Sequence, residues 1–103
     1  MCEFYKALVL HPAELSDLAY IIWEDAQDTL DISDILNEDK IIDYITGYLE
    51  ELLSLCGCED FLILCDNDRW ELVSESYLGP YLYEHHIKYY IEYFKEKNQA
   101  QQK

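Results

Sequence analysis

The chain has 103 residues, half of them hydrophobic, with ten Tyr, two Trp and three Phe set against a formal net charge of -15. That length accommodates one domain and excludes two independent cores, and the aromatic content excludes a disordered acidic tail. The charge excludes direct nucleic-acid binding, since it offers nothing to neutralise phosphates, and it opposes an anionic membrane surface.

No run approaches the roughly 20 apolar residues that span a bilayer. Met1 to Leu10 carries one lysine and one glutamate, and its apolar run, Ala7 to Leu10, is too short for a secretion signal. A cytoplasmic protein with reduced thiols is the expectation.

Phe4, Tyr5 and Leu8 would suit a helical turn, whereas Leu8-Val9-Leu10 before His11-Pro12 suits a short strand. The residue before a proline is pushed toward extended geometry, which favours the strand. Pro12 then opens the first helix, where its missing donor costs nothing. The apolar set Leu15, Leu18, Ala19, Ile22, Trp23, Ala26 and Leu30 predicts that helix to end near Thr29 or Leu30. Residues 31–37 read as a connector, with Ser33, Asp34 or Asn37 as the cap of the second helix.

The second helix organises the chain. Ile41, Ile42, Ile45, Leu49, Leu52, Leu53 and Cys56 recur every three or four residues and draw one apolar stripe. Asp39, Asp43 and Glu50 fall on the opposite side, with Thr46 completing the row. Gly57 stops the helix. Phe61 to Cys65 is a continuous apolar run, Asp66-Asn67-Asp68 is turn chemistry, and Trp70 to Ser74 comes next, so a β-hairpin is expected. A run apolar on both faces implies cover on both sides, or cover on one side and central pairing with the N-terminal strand. Gly79-Pro80 is expected to open a last, tyrosine-rich helix, and residues 96–103 should fray.

The predicted order is β-α-α-β-β-α, or all helices around one hairpin. Either is a single α+β domain over residues 1–103, with three helices packed against a small antiparallel β-hairpin or three-stranded sheet.

Charge is unevenly placed. Residues 1–68 hold 17 acidic and 2 basic side chains, and residues 69–103 hold 5 of each. Between Glu14 and Asp68 the acid is almost unrelieved by lysine, although i,i+4 pairs would stabilise such helices. Mutual repulsion on that scale opposes the compact state, and a bound cation-rich partner would compensate it. Helical carboxylates three or four apart are spaced about 4.5 to 6 Å along the axis, an interval comparable with the phosphates of a nucleic-acid backbone.

Asp17, Glu24, Asp28 and Asp31 make one expected row. Asp39, Asp43, Glu50 and Glu51 make a second, and Asp60, Asp66 and Asp68 extend it over the hairpin tip. The expected partner is a cationic protein, above all a DNA- or RNA-acting enzyme whose basic groove the acids would occupy. A basic nuclease toxin neutralised by an immunity protein is the related alternative. A third is a plain interaction module using the last helix, whose Tyr77, Tyr81, Tyr89 and Tyr93 would form a homodimer seam or second interface.

Catalysis and cofactors find no support. No nucleophile elbow, phosphate loop or His-Glu-x-x-His spacing is present. Cys56, Cys58 and Cys65, with Cys2 or His11, match zinc-knuckle spacing poorly, and each cysteine reads equally as a small buried hydrophobe. His85 and His86, adjacent on a helix, should point about 100° apart, one packed against tyrosines and one exposed. Glu38, Asp39 and Asp43 lack the EF-hand order.

Overall fold

The computed structural model describes residues 6–65 and 67–101. The expectations resting on Cys2, Phe4, Tyr5, Asp66, Gln102 and Lys103 lie outside these. In chain order the elements are β1 (Ala7–Leu10), α1 (Pro12–Thr29), α2 (Ile32–Ile35), α3 (Glu38–Cys56), β2 (Asp60–Leu64), β3 (Trp70–Val73), α4 (Glu75–Leu82), a π-helical turn (Tyr83–Ile87) and α5 (Lys88–Gln101).

Local chemistry sets most boundaries. His11 is extended and Pro12 is the first helical residue of α1. The Glu14 carboxylate accepts the His11 backbone N–H at 2.8 Å and lies 3.0 Å from Nδ1 of the same histidine. Those two contacts, the backbone one first, hold the Glu14 carboxyl below its ordinary range. Asn37, rather than Ser33 or Asp34, caps α3, its Oδ1 accepting the Lys40 N–H at 3.2 Å. Ser33 and Asp34 belong instead to the short α2, which brings Ile35 into the core. Gly57 closes α3 in the left-handed region at φ 69°, and the Cys58 N–H returns to the Leu53 carbonyl at 3.0 Å.

The sheet is mixed, not antiparallel. Strand order is β1-β2-β3, with β1 parallel to β2 and β3 antiparallel to it. Three helices separate β1 from β2, and a helical crossover returns the chain in its original direction; only the short hairpin from β2 to β3 reverses it. β2 is thus the central strand, paired on both edges, with Phe61 and Ile63 fully buried.

The helices also exceed three. The last helical stretch begins at Glu75, four residues before Gly79, because the Ser74 carbonyl accepts the N–H groups of Tyr77 (3.1 Å) and Leu78 (2.9 Å). Pro80 therefore lies inside α4, where the bond its ring removes would have gone to Ser76. The π-helical turn comes directly after it, and the backbone remains helical to Gln101.

One contact fixes how α3 meets α4. A Cβ built on Gly79 would overlap Oγ1 of Thr46 and stand 3.2 Å from its Cβ and 3.3 Å from its Cα. Thr46 is therefore a packing residue, not a member of the solvent-facing row. The core gathers Ala19, Ile22 and Ala26 from α1, Ile41, Ile45 and Leu49 from α3, and Leu78, Leu82 and Ile87 from the C-terminal stretch. Cys56, expected at the end of the α3 stripe and as a buried hydrophobe, is exposed, and Cys58 and Cys65 are half-buried.

Candidate protein-binding surface: an acidic groove between two helices

Asp17, Glu24 and Asp28 fall within about 40° of one another around α1 at 3.6 residues per turn, opposite the buried Leu15, Ala19 and Ala26. All three are exposed. Asp31 leaves this row: α1 ends at Thr29, and Asp31 is the exposed residue preceding α2.

On α3 the acids divide. Asp43 and Glu51 lie either side of the exposed Gly47 and line a hollow of about 450 Å³ together with Asp25, Tyr44 and Tyr48. Asp39 and Glu50 are exposed on the flank nearer α4, beside Thr46. Asp39 stands in the first turn, where negative charge complements the helix dipole.

Asp25 joins the site without belonging to either expected row. Its neighbour Glu24 points to open solvent, and one residue further turns Asp25 by about 100° toward α3. There its carboxylate accepts the Tyr44 hydroxyl, which also lies 3.5 Å from Oγ1 of Thr29. Partial burial and then the Asp25 carboxylate raise the Tyr44 phenol above its ordinary value. This link ties the two acid-bearing helices side by side. The Glu24 carboxylate similarly raises the exposed Tyr20 phenol through a hydrogen bond.

Counter-charges do not quench the groove. Among the described residues the ion pairs are His11–Glu14, Lys40–Asp34 and Lys88–Glu84. None of them engages Asp17, Glu24, Asp25, Asp28, Asp43, Glu50 or Glu51.

The hairpin acids go elsewhere. Asp60 is half-buried at the start of β2. Asp68, in the left-handed region at φ 61°, lines a separate hollow of about 390 Å³ with Leu15, Cys65, Tyr81, His85 and His86. Both histidines line that hollow, and both lie in the π-helical turn. His85 lies against Tyr81 with ring centroids 4.3 Å apart and is nonetheless exposed. His86 is half-buried, and burial, then the neighbouring His85, lowers its pKa. Among the described residues no group of three or more His, Cys, Asp and Glu side chains is arranged to hold a metal ion.

Tyr77, Tyr81, Tyr89 and Tyr93 recur every four residues along the C-terminal stretch, with His85 replacing one step. Tyr77 stacks on Tyr81 at 6.1 Å, and Lys97 Nζ lies 6.0 Å from the Tyr93 ring centre. Tyr89 and Tyr93 are 62% and 66% exposed, whereas Tyr90 and Phe94 turn inward onto Trp23. The surplus of tyrosine is thus divided between a packed face and an outward strip.

No helix among the described residues is long and apolar enough to cross a membrane. The chain matches no known family model, no curated protein and no solved structure.

Proposed function

We propose that this protein is a nucleic-acid mimic, an acidic inhibitor that occupies the basic binding surface of a DNA- or RNA-acting enzyme of the restriction, CRISPR or repair type. The observation that carries this reading is the joined pair α1 and α3. Its Asp17, Glu24 and Asp28 row lies beside a groove lined by Asp25, Asp43 and Glu51, all exposed and none ion-paired among the described residues. Arginine and lysine side chains that grip phosphates pair equally with carboxylates, and in a groove flanked by Tyr44 and Tyr48 a guanidinium would also meet aromatic faces. The net charge of -15 would steer such a partner and speed encounter, an effect that salt screens. Inhibition by this route needs no catalytic group and no cofactor.

The test is capture of a nucleic-acid-processing enzyme by the purified protein, with duplex DNA or RNA competing for the complex. Combined reversal of Asp25, Asp43 and Glu51 to lysine should abolish capture while circular dichroism stays unchanged. Recovery of neutral or acidic partners alone, or capture indifferent to that reversal, refutes the proposal. A captured nuclease toxin encoded with the protein would direct the same physical reading to immunity instead.

A further inference from the structure

Between α1 and α5 lies a hollow of about 300 Å³ whose walls are aromatic. Trp23, Tyr90 and Phe94 form its inner side: Tyr90 stacks on Trp23 at 6.1 Å, and Phe94 meets the same indole edge-on at 5.6 Å. Tyr20, edge-on to Tyr90 at 6.0 Å, and Tyr93 stand at the rim, 50% and 66% exposed. The chain's own packing fixes these rings and leaves the space between them open.

The charges around the hollow indicate what it attracts. Lys97 Nζ lies 6.0 Å from the Tyr93 ring centre, the range in which the negative face of an aromatic ring draws a cation. Among the described residues lining the hollow Lys97 alone is charged, and it is exposed, reaching the ring on a flexible stem. At the same rim the Glu24 carboxylate accepts the Tyr20 hydroxyl and keeps lone pairs for further donors. At 3.6 residues per turn Tyr20 and Gln27 lie about 40 to 60° from Glu24, on the opposite flank of the Asp17, Glu24 and Asp28 row from Asp25. The row thus stands between two openings, the acidic groove toward α3 and this aromatic hollow toward α5.

We propose that the hollow receives an arginine side chain of the cationic partner, which displaces Lys97 from the rings. The source of that arginine rests on the inhibitory reading; its chemistry rests on the rings, Glu24 and Lys97. A guanidinium stacks flat on aromatic faces, and its five N–H donors find acceptors in Glu24 and the Gln27 amide oxygen. A lysine ammonium is more strongly hydrated and gains less from the rings. An anion would face the α1 carboxylates with Lys97 alone to hold it. An uncharged side chain would forgo the attraction that already draws Lys97 to Tyr93.

Two-dimensional NMR on the full chain tests the site without an identified target. The chain has two tryptophans, whose indole N–H signals Trp70→Phe assigns. Trp23 reports on the hollow, and Trp70, on β3, is the internal control. N-acetyl-arginine methylamide should move the Trp23 signal saturably, and its neutral near-isostere N-acetyl-citrulline methylamide should bind roughly fivefold more weakly. N-acetyl-lysine methylamide should fall between them. Tyr93→Leu, at an exposed position, should weaken arginine binding about two- to fivefold, and Lys97→Ala should tighten it. An unmoved Trp23 signal overturns the proposal, as does citrulline or lysine binding equal to that of arginine. Affinity that Tyr93→Leu leaves intact, or that Lys97→Ala fails to raise, overturns it too. So do shifts confined to Tyr44 and Tyr48, which would make the acidic groove the arginine site and leave the inhibitory reading standing. Saturable binding at Trp23 in a protein that captures no nucleic-acid-processing enzyme upholds the guanidinium site and refutes the inhibitory reading alone.

Discussion

Replacing Gly79 by alanine sets two effects of known size against each other. Alanine is preferred over glycine inside a helix by about 1 kcal/mol, which would stabilise α4. Against it stands Thr46, whose Oγ1 the new methyl overlaps and whose Cβ and Cα lie 3.2 and 3.3 Å away. A rotamer change can move the hydroxyl, though a β-branched residue in a helix has few rotamers available. The Cα moves only if α3 moves with it. Overpacking of this kind costs roughly 1 to 3 kcal/mol, and contact with backbone belongs at the upper end. The net expectation is a loss of about 2 kcal/mol, equivalent to a fall in Tm on the order of 8 to 16 °C for a domain of this size. Urea unfolding followed by far-UV circular dichroism reads the loss as a lower midpoint at constant m-value. Thr46→Ala in the same chain removes the hydroxyl overlap and should recover part of the loss, with a coupling above about 0.5 kcal/mol. A Gly79→Ala protein as stable as the parent, or one that Thr46→Ala does nothing to rescue, would show that α3 does not ride directly on Gly79. The position of Asp43 and Glu51 relative to α4 would then need another explanation.

Tyr44→Phe removes the hydroxyl that joins α1 to α3 through Asp25 and Thr29. A hydrogen bond to a carboxylate is worth up to about 3 kcal/mol when shielded, and for this exposed acceptor about 1 kcal/mol is expected in chemical denaturation; an unchanged midpoint would dismiss the link. For His86, whose folded pKa lies below its ordinary 6.5 through burial and the adjacent His85, the neutral form is the one that the fold favours. Its contribution is therefore present above pH 6.5 and is lost as pH falls through the lowered folded value. Melting curves of the parent should drop more steeply between about pH 7 and pH 5 than those of His86→Gln, and parallel curves would contradict the assignment. Capture of a cationic target should weaken several-fold between low and physiological salt, because the acids that drive it are exposed; salt-independent binding would place the contact on an apolar face instead.

Periodicity and punctuation in the sequence were enough to determine α1, α3 and the hairpin, although the start of α3 stayed open among Ser33, Asp34 and Asn37. Pro12, Asn37 and Gly57 act within one turn of chain, and the apolar stripes of α1 and α3 leave one way for each helix to face. Asp17, Glu24 and Asp28 recur at helical spacing and share one face of α1 for the same reason, whereas Asp31 leaves that row and the acids expected as a second row divide on α3. Contacts between distant residues were not legible. That β1 runs parallel to β2 depends on the path of three intervening helices. That Thr46 is a packing residue depends on Gly79, thirty-three positions later. Asp25 joins Asp43 and Glu51 only because α1 lies beside α3, an interhelical placement that neither stripe contains. Local spacing determines which way a side chain leaves its own helix, whereas what it meets is decided by the packing of elements that the sequence keeps far apart.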